Sequence, residues 1–138
     1  MIILDTNVVS EFLKPNPDPR VRRNLQGQKG TCGVCAMTVA ELWQGIHYLE
    51  QGRKRDVLEA AFRRWLLLQP PETILKFGPD SAEVFGLIRA RRRELGKPIS
   101  YPDAIIAATC LTHKATLYTR NTKDFLDTGI ELINPWED

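Results

Sequence analysis

The chain has 138 residues, carries 19 Lys and Arg against 17 Asp and Glu, and has a formal net charge of +2. That length favours one domain spanning residues 1–138, with a core that needs neither disulfides nor a structural metal. No stretch approaches the ~20 apolar residues of a membrane span, so a membrane protein is excluded, while the near-balanced charge neither requires nor excludes nucleic acid.

In chain order, Met1–Leu4 is a short and fully apolar run, as in a strand buried on both faces. Thr6–Lys14 reads as a helix stopped by Pro15-Asn16-Pro17. Asp18 caps a second helix with Pro19 at its first position. Cys32–Met37 is the second strand, and Thr38 opens a helix that runs to about Glu50 and breaks at Gly52. In Arg53–Leu68, the residues Val57, Leu58, Ala61, Phe62, Trp65 and Leu66 form one apolar helical stripe, ended by Pro70-Pro71. Thr73–Phe77 is a third strand. Pro79–Leu95 is a helix closing at Gly96, and Pro102–Lys114 is another. Thr116–Thr119 and Glu131–Ile133 are the last strands. Strands separated by helices imply an α/β fold, a mostly parallel sheet covered on both faces.

Ligands of open parallel sheets bind beyond the carboxyl ends of the strands. Asp5 follows the first strand. Glu41 and Asp103 fall in the first turns of helices, and Asn121 and Asp124 follow the fourth strand. The pattern therefore gathers all of them at one edge. Each acid also has a capping explanation. Asp5 can cap the helix at Thr6, Thr38 to Glu41 fits a capping box, and Ser100 to Asp103 reads the same way. Capping does not explain why several acids share one end. Two carboxylates about 4 Å apart repel by about 4 kcal/mol at an effective dielectric of 20, unless a cation sits between them. All-oxygen donors without clustered His or Cys point to Mg²⁺ or Mn²⁺ and to phosphoryl chemistry.

Other residues carry weaker signals. The groups Arg20/Arg22/Arg23, Arg53/Lys54/Arg55 and Arg89/Arg91/Arg92/Arg93 either contact phosphates or line solvated helix faces. The third group also suits the dipole of a helix C-terminus before Gly96. Cys32 and Cys35 are spaced like a redox or zinc pair, but they lie in a strand, where cysteine behaves as a small apolar residue. Three cysteines, an odd count, and an N-terminus with no basic region and too short an apolar run for export point to a reducing, cytoplasmic setting. Trp65 belongs to the core stripe. Trp43, two residues from Glu41, has the stronger claim to a partner contact, and Trp136 is a further candidate.

The segments Ile3-Leu4-Asp5-Thr6-Asn7, Thr38-Val39-Ala40-Glu41-Leu42, Pro102-Asp103-Ala104-Ile105-Ile106-Ala107-Ala108 and Thr119-Arg120-Asn121-Thr122-Lys123-Asp124-Phe125 resemble PIN-domain proteins. Their order fits the VapC-type toxins of bacterial toxin–antitoxin pairs, and Asn134-Pro135-Trp136 is similar to one branch of them. The resemblance implies a three-layer α/β/α sandwich and an endoribonuclease dependent on Mg²⁺ or Mn²⁺. It also implies a homodimer and a cognate antitoxin that blocks the site in a higher assembly. Asp5, Glu41 and Asp103 match the family's first three acids, and Thr6 and Asn7 match the polar residues that support the first. One position departs from the pattern: neutral Asn121 stands where the family often has its fourth acid, with Asp124 three residues on. Less negative charge favours one tightly held ion over two.

The expected mechanism has Asp5 and Asp103 on the metal and Glu41 on the metal or a metal-held water, with attack on an RNA phosphodiester. Thr119 and Asn121 would position the phosphate or a water, and Arg120 would either touch the RNA backbone or face solvent. Two alternatives compete with this reading. A non-catalytic RNA-binding or interaction module would bind without cleaving. A phosphoacceptor receiver domain needs an aspartate ending its third strand and a lysine after its last strand; here the third strand ends at Phe77-Gly78-Pro79 and no lysine follows Ile133.

Overall fold

Ile2–Leu4 forms strand β1 at the centre of a sheet, and the computed structural model describes residues 1–28 and 30–137 around it. Strands β2 (Cys32–Cys35), β3 (Ile74–Leu75), β4 (Thr116–Tyr118) and β5 (Glu131–Ile133) complete the order β3-β2-β1-β4-β5. Every pairing among them is parallel. The chain builds outward from β1 in one direction to β2 and β3, and in the other to β4 and β5. The strand order therefore reverses at β1/β4, which is where open α/β sheets form their binding crevice.

Side chains of β1 alternate between the two faces, as a pleated strand requires. Ile2 and Leu4 pack with Val8, Val9, Val21, Leu42, Ile46 and Phe62. These come from helices α1 (Thr6–Phe12), α2 (Pro19–Gln26), α3 (Ala36–Tyr48) and α4 (Arg53–Leu67). Ile3 faces the opposite layer, with Ile88 of α5 (Pro79–Glu94) and Ala104, Ala107 and Ala108 of α6 (Tyr101–Thr112). The result is the expected three-layer sandwich, with a sheet parallel throughout. The small alanines of α6 let that helix lie close on the sheet. Among the described residues no helix is long and apolar enough to cross a membrane.

Helices α5 and α6 run antiparallel. The Ser81 and Thr112 hydroxyls, 2.8 Å apart, tie the start of one to the end of the other. Gly96, at φ +70°, closes α5: its N–H donates to the Arg93 carbonyl at 3.1 Å, and the Lys97 N–H donates to the Arg92 carbonyl at 2.9 Å. This is a Schellman closure with glycine in the left-handed position. It brings the end of α5 and the start of α6 to the carboxyl edge of the sheet.

Several boundaries move. β2 ends at Cys35, not Met37, and α3 starts at Ala36 with Cys35 as an extended N-cap. Thr38 is then the third residue of the helix and cannot cap it. β3 keeps only two residues, because Pro71–Thr73 takes a 3-10 turn before it. α1 ends at Phe12, and α6 begins one residue early at Tyr101.

Candidate active site

Asp5 is the most constrained acid. It directly follows β1, is 5% exposed, and its own N–H donates to the Tyr118 carbonyl of β4 at 2.9 Å. Oδ1 accepts from the Thr6 N–H at 2.8 Å, so the carboxylate does cap α1 as expected. Oδ2 accepts from the Thr119 hydroxyl at 2.7 Å and, at longer range, from Asn7 Nδ2 at 3.4 Å. Asn7 also reaches across the β1/β4 crevice, where its Oδ1 accepts from the Arg120 N–H at 3.1 Å. Thr6 and Asn7 are thus both bonded to the Asp5 carboxylate.

Thr119 is fully buried and its hydroxyl is committed. It donates to Asp5 and accepts from the Asn121 N–H at 3.1 Å. The Thr119 hydroxyl is thus turned to Asp5 and not to open solvent. Sequence reasoning singled out Thr119 as a supporting residue but not its partner, because a threonine ending a strand looks the same whether its hydroxyl faces in or out.

Glu41 lies on the second turn of α3, not the first, and takes no part in a capping box. Its Oε1 accepts from the Thr6 hydroxyl at 2.9 Å, and the buried Thr38 hydroxyl has no hydrogen-bond partner among the described residues. The glutamate turns toward the first acid instead of back along its own helix. Asp103 is the third residue of α6; the Ser100 side chain caps that helix by accepting from the Asp103 N–H at 3.2 Å. Asn121 and Asp124 are exposed, on the 3-10 turn Thr122–Phe125 after β4.

Electrostatics bind these positions into one neighbourhood. Burial pushes the Asp5, Glu41 and Asp103 carboxyls up, and hydrogen bonds from Thr119, Thr6 and Ser100 respectively pull them back. The acids also act on each other: Asp5 and Asp103 raise Glu41, Asp5 and Asp124 raise Asp103, and Asp124 raises Asp5. Among the described residues, no three Asp, Glu, His or Cys side chains close into a tight cluster. Like charges sharing a half-desolvated crevice are expected to stand apart. The donor set is all oxygen, part-buried and mutually repelling, and that fits a hard divalent cation.

Arg92 was expected among solvated arginines or phosphate contacts. It is 6% exposed, and its guanidinium donates to backbone carbonyls of the Asp124 loop. Arg89 stacks on Tyr101 at 4.2 Å and donates to the Ile99 carbonyl. Cys32 and Cys35 lie in β2 as expected, all three thiols are free, and Cys110 of α6 meets Cys35; that contact first and burial second push the Cys110 thiol up. Trp43 packs edge-on to Phe62 at 4.9 Å, and Trp65 joins the same core. Trp136 is not a surface anchor: it is buried, with the Arg120 guanidinium 5.0 Å above its ring.

A model of the PIN domain matches residues 2–131 of this chain. The chain belongs to the PIN-domain family. Within the family it stands beside VapC-type toxins. It is 37% identical to Toxin FitB of Neisseria gonorrhoeae over all of both chains. It is 35% identical to the VapC ribonuclease Y4jK of Sinorhizobium fredii over 99% of each. Its fold superposes on the crystal structure of FitAcB from Neisseria gonorrhoeae with a TM-score of 0.89 at 37% identity, covering 100% of both chains. A toxin–antitoxin complex from Klebsiella pneumoniae aligns with a TM-score of 0.72 at 26% identity, again over 100% of both chains. The fold is thus shared with a solved toxin–antitoxin complex, and the sequence is similar to that of a protein named as a ribonuclease.

Proposed function

We propose that the chain is a divalent-metal-dependent endoribonuclease, the toxin of a type II toxin–antitoxin pair, built as one PIN domain over residues 1–138. The observation that carries this reading is the buried Asp5 carboxylate at the β1/β4 crevice, held by three donors and pushed up by burial and by its acidic neighbour Asp124. The kinship with proteins named as ribonucleases supports the same chemistry.

In this reading Asp5 and Asp103 hold the ion, Mg²⁺ or Mn²⁺, and Glu41 holds it or orients a water. Bound there, the cation lowers the pKa of a water and stabilises charge at the phosphate. The chain's own groups prepare that event. Thr6 ties Glu41 to the first turn of α1 through its hydroxyl, and through its N–H fixes one oxygen of Asp5. Thr119 and Asn7 fix the other oxygen, so Asp5 is oriented before any ligand arrives. In the same reading Asn121, exposed at the rim, contacts the scissile phosphate or an ordered water, and Arg120 beside it contacts the RNA backbone.

RNA is the substrate, and a cognate antitoxin is the partner that blocks the crevice, in a complex built on a homodimer of this chain. The protein works in the cytoplasm, where its free thiols stay reduced. The test is cleavage of total RNA by purified protein, with Mg²⁺ or Mn²⁺ and with chelator. Chelator-sensitive cleavage that Asp5→Asn abolishes is the expected result. Binding without cleavage, indifferent to chelator, would mean a non-catalytic module instead.

A further inference from the structure

Three arginines stand in a row on the last turn of α5. Arg91 and Arg93 are exposed, as the sequence suggests, whereas Arg92 is buried. Burying a guanidinium is costly unless its donors are used. Nε donates to the Lys97 carbonyl at 2.6 Å, and Nη1 donates to the Asp124 and Leu126 carbonyls, both at 2.9 Å. The backbone between those two carbonyls is anchored as well: Phe125 is buried, and its carbonyl accepts from the Thr128 hydroxyl at 2.6 Å. Three successive carbonyls of the loop are therefore bonded.

Asp124 itself gains nothing from its side chain, which is exposed and makes no hydrogen bond among the described residues. Its place is set by backbone alone. One side chain thus joins the loop after β4 to the Lys97 connection between α5 and α6. A salt bridge of 3.8 Å between Lys97 and Asp127 runs parallel to it across the same two loops.

We propose that Arg92 is a positioning residue: it clamps the Asp124 loop against the end of α5 and the Lys97 connection, so that the fourth acid keeps its station at the rim of the crevice. The proposal rests on the nuclease reading for its kinetic consequence, but not for its structural one. Lysine preserves the charge, but a single ammonium lacks the planar fork that serves Lys97 and the loop together.

The experiment is a cycle of Arg92→Lys, Asp124→Asn and the double variant, using the full chain. Calorimetric Mn²⁺ titration and single-turnover RNA cleavage are the readouts. Arg92→Lys is expected to lower the cleavage rate by up to about 10-fold, no more than Asp124→Asn does, with little change in RNA KM, the pattern of a misplaced reacting group. It is expected to weaken Mn²⁺ binding too, and to add little once Asp124 is already Asn, since both act through one element. Additive losses, or a folded Arg92→Lys variant with wild-type Mn²⁺ affinity and rate, would overturn the proposal. If Arg92→Lys does not fold, hydrogen exchange on the wild-type protein decides: the Asp124 N–H, bonded to the Asn121 carbonyl at 3.0 Å, is expected to be protected. Exchange there at the rate of an open peptide would refute the clamp. If wild-type protein cleaves no RNA with either metal, the nuclease reading fails alone, and the Mn²⁺ and exchange measurements still judge Arg92.

Discussion

The two sides of the crevice hold their acids in opposite ways. On the β1 side, Asp5 is buried and each carboxylate oxygen has a donor, so the side chain itself is locked. On the side after β4, Asp124 is exposed and its carboxylate is unbonded among the described residues, while the backbone beneath it is pinned to Arg92. The contrast teaches that preorganisation can be applied to a side chain or to the loop that carries it. The locked oxygen set suits a group that must meet a ligand in one geometry. The pinned loop leaves its acid free to adjust.

Mutations that strip charge from each side sharpen this contrast. Asp5→Asn keeps an oxygen for the Thr6 N–H and should still fold, yet cleavage should fall about 10²- to 10³-fold or more, read by single-turnover kinetics. A variant that retains near wild-type rate would remove Asp5 from the chemistry. Thr119→Val is the next largest. It leaves a buried carboxylate oxygen without its shortest donor, which should cost about 1–3 kcal/mol in urea unfolding. The same change should slow cleavage about 10- to 100-fold, the usual toll for a group that orients a metal ligand. If stability drops and rate does not, Thr119 serves the fold only. Asp124→Asn should cost less, about 10-fold in rate, with unfolding midpoint unchanged. A loss as large as that of Asp5→Asn would erase the asymmetry.

The smallest effect is in pH. Asp5, Glu41 and Asp103 have folded-state pKa values raised above their ordinary ones. Such a carboxyl binds its proton more tightly when folded. Its stabilising effect is therefore complete below the ordinary carboxylate range and is lost as pH rises through the raised folded value. Chelated protein should accordingly become less stable from pH 4.5 toward 7 on account of these groups. Asp18, held down to about 2 by Arg20, acts in the other sense and only below its ordinary value of 3.8. Added Mg²⁺ should raise the unfolding temperature more at pH 7 than at pH 5, because ionised acids bind it. An equal or smaller rise at pH 7 would show that the crevice acids do not bind the ion.

Much of the fold could be read from periodicity and punctuation. β1, the Pro19 helix start, the Arg53–Leu67 stripe and the Gly96 stop appear within a residue or two of their expected places. The carboxyl-edge location of Asp5, Glu41 and Asp103 followed from strand–helix alternation. Boundaries set by competing signals did not: Thr38 looks like a cap, but the core draws it fully inside and the helix starts two residues earlier. Trp136 has partner-like chemistry, but the core of this chain buries it, while Trp43 packs on Phe62 and stays partly exposed.

What the sequence by itself determined is therefore the alternation of elements, the parallel sheet that alternation demands, and the supply of acids at one rim, because these depend on local pattern and chain topology. Only the tertiary structure decided which polar groups are spent on whom: Thr119 on Asp5, Thr6 on Glu41, Arg92 on the Asp124 loop. Those choices turn on burial and direction. A hydroxyl or guanidinium reads the same in the chain whether water or a neighbouring carbonyl will satisfy it.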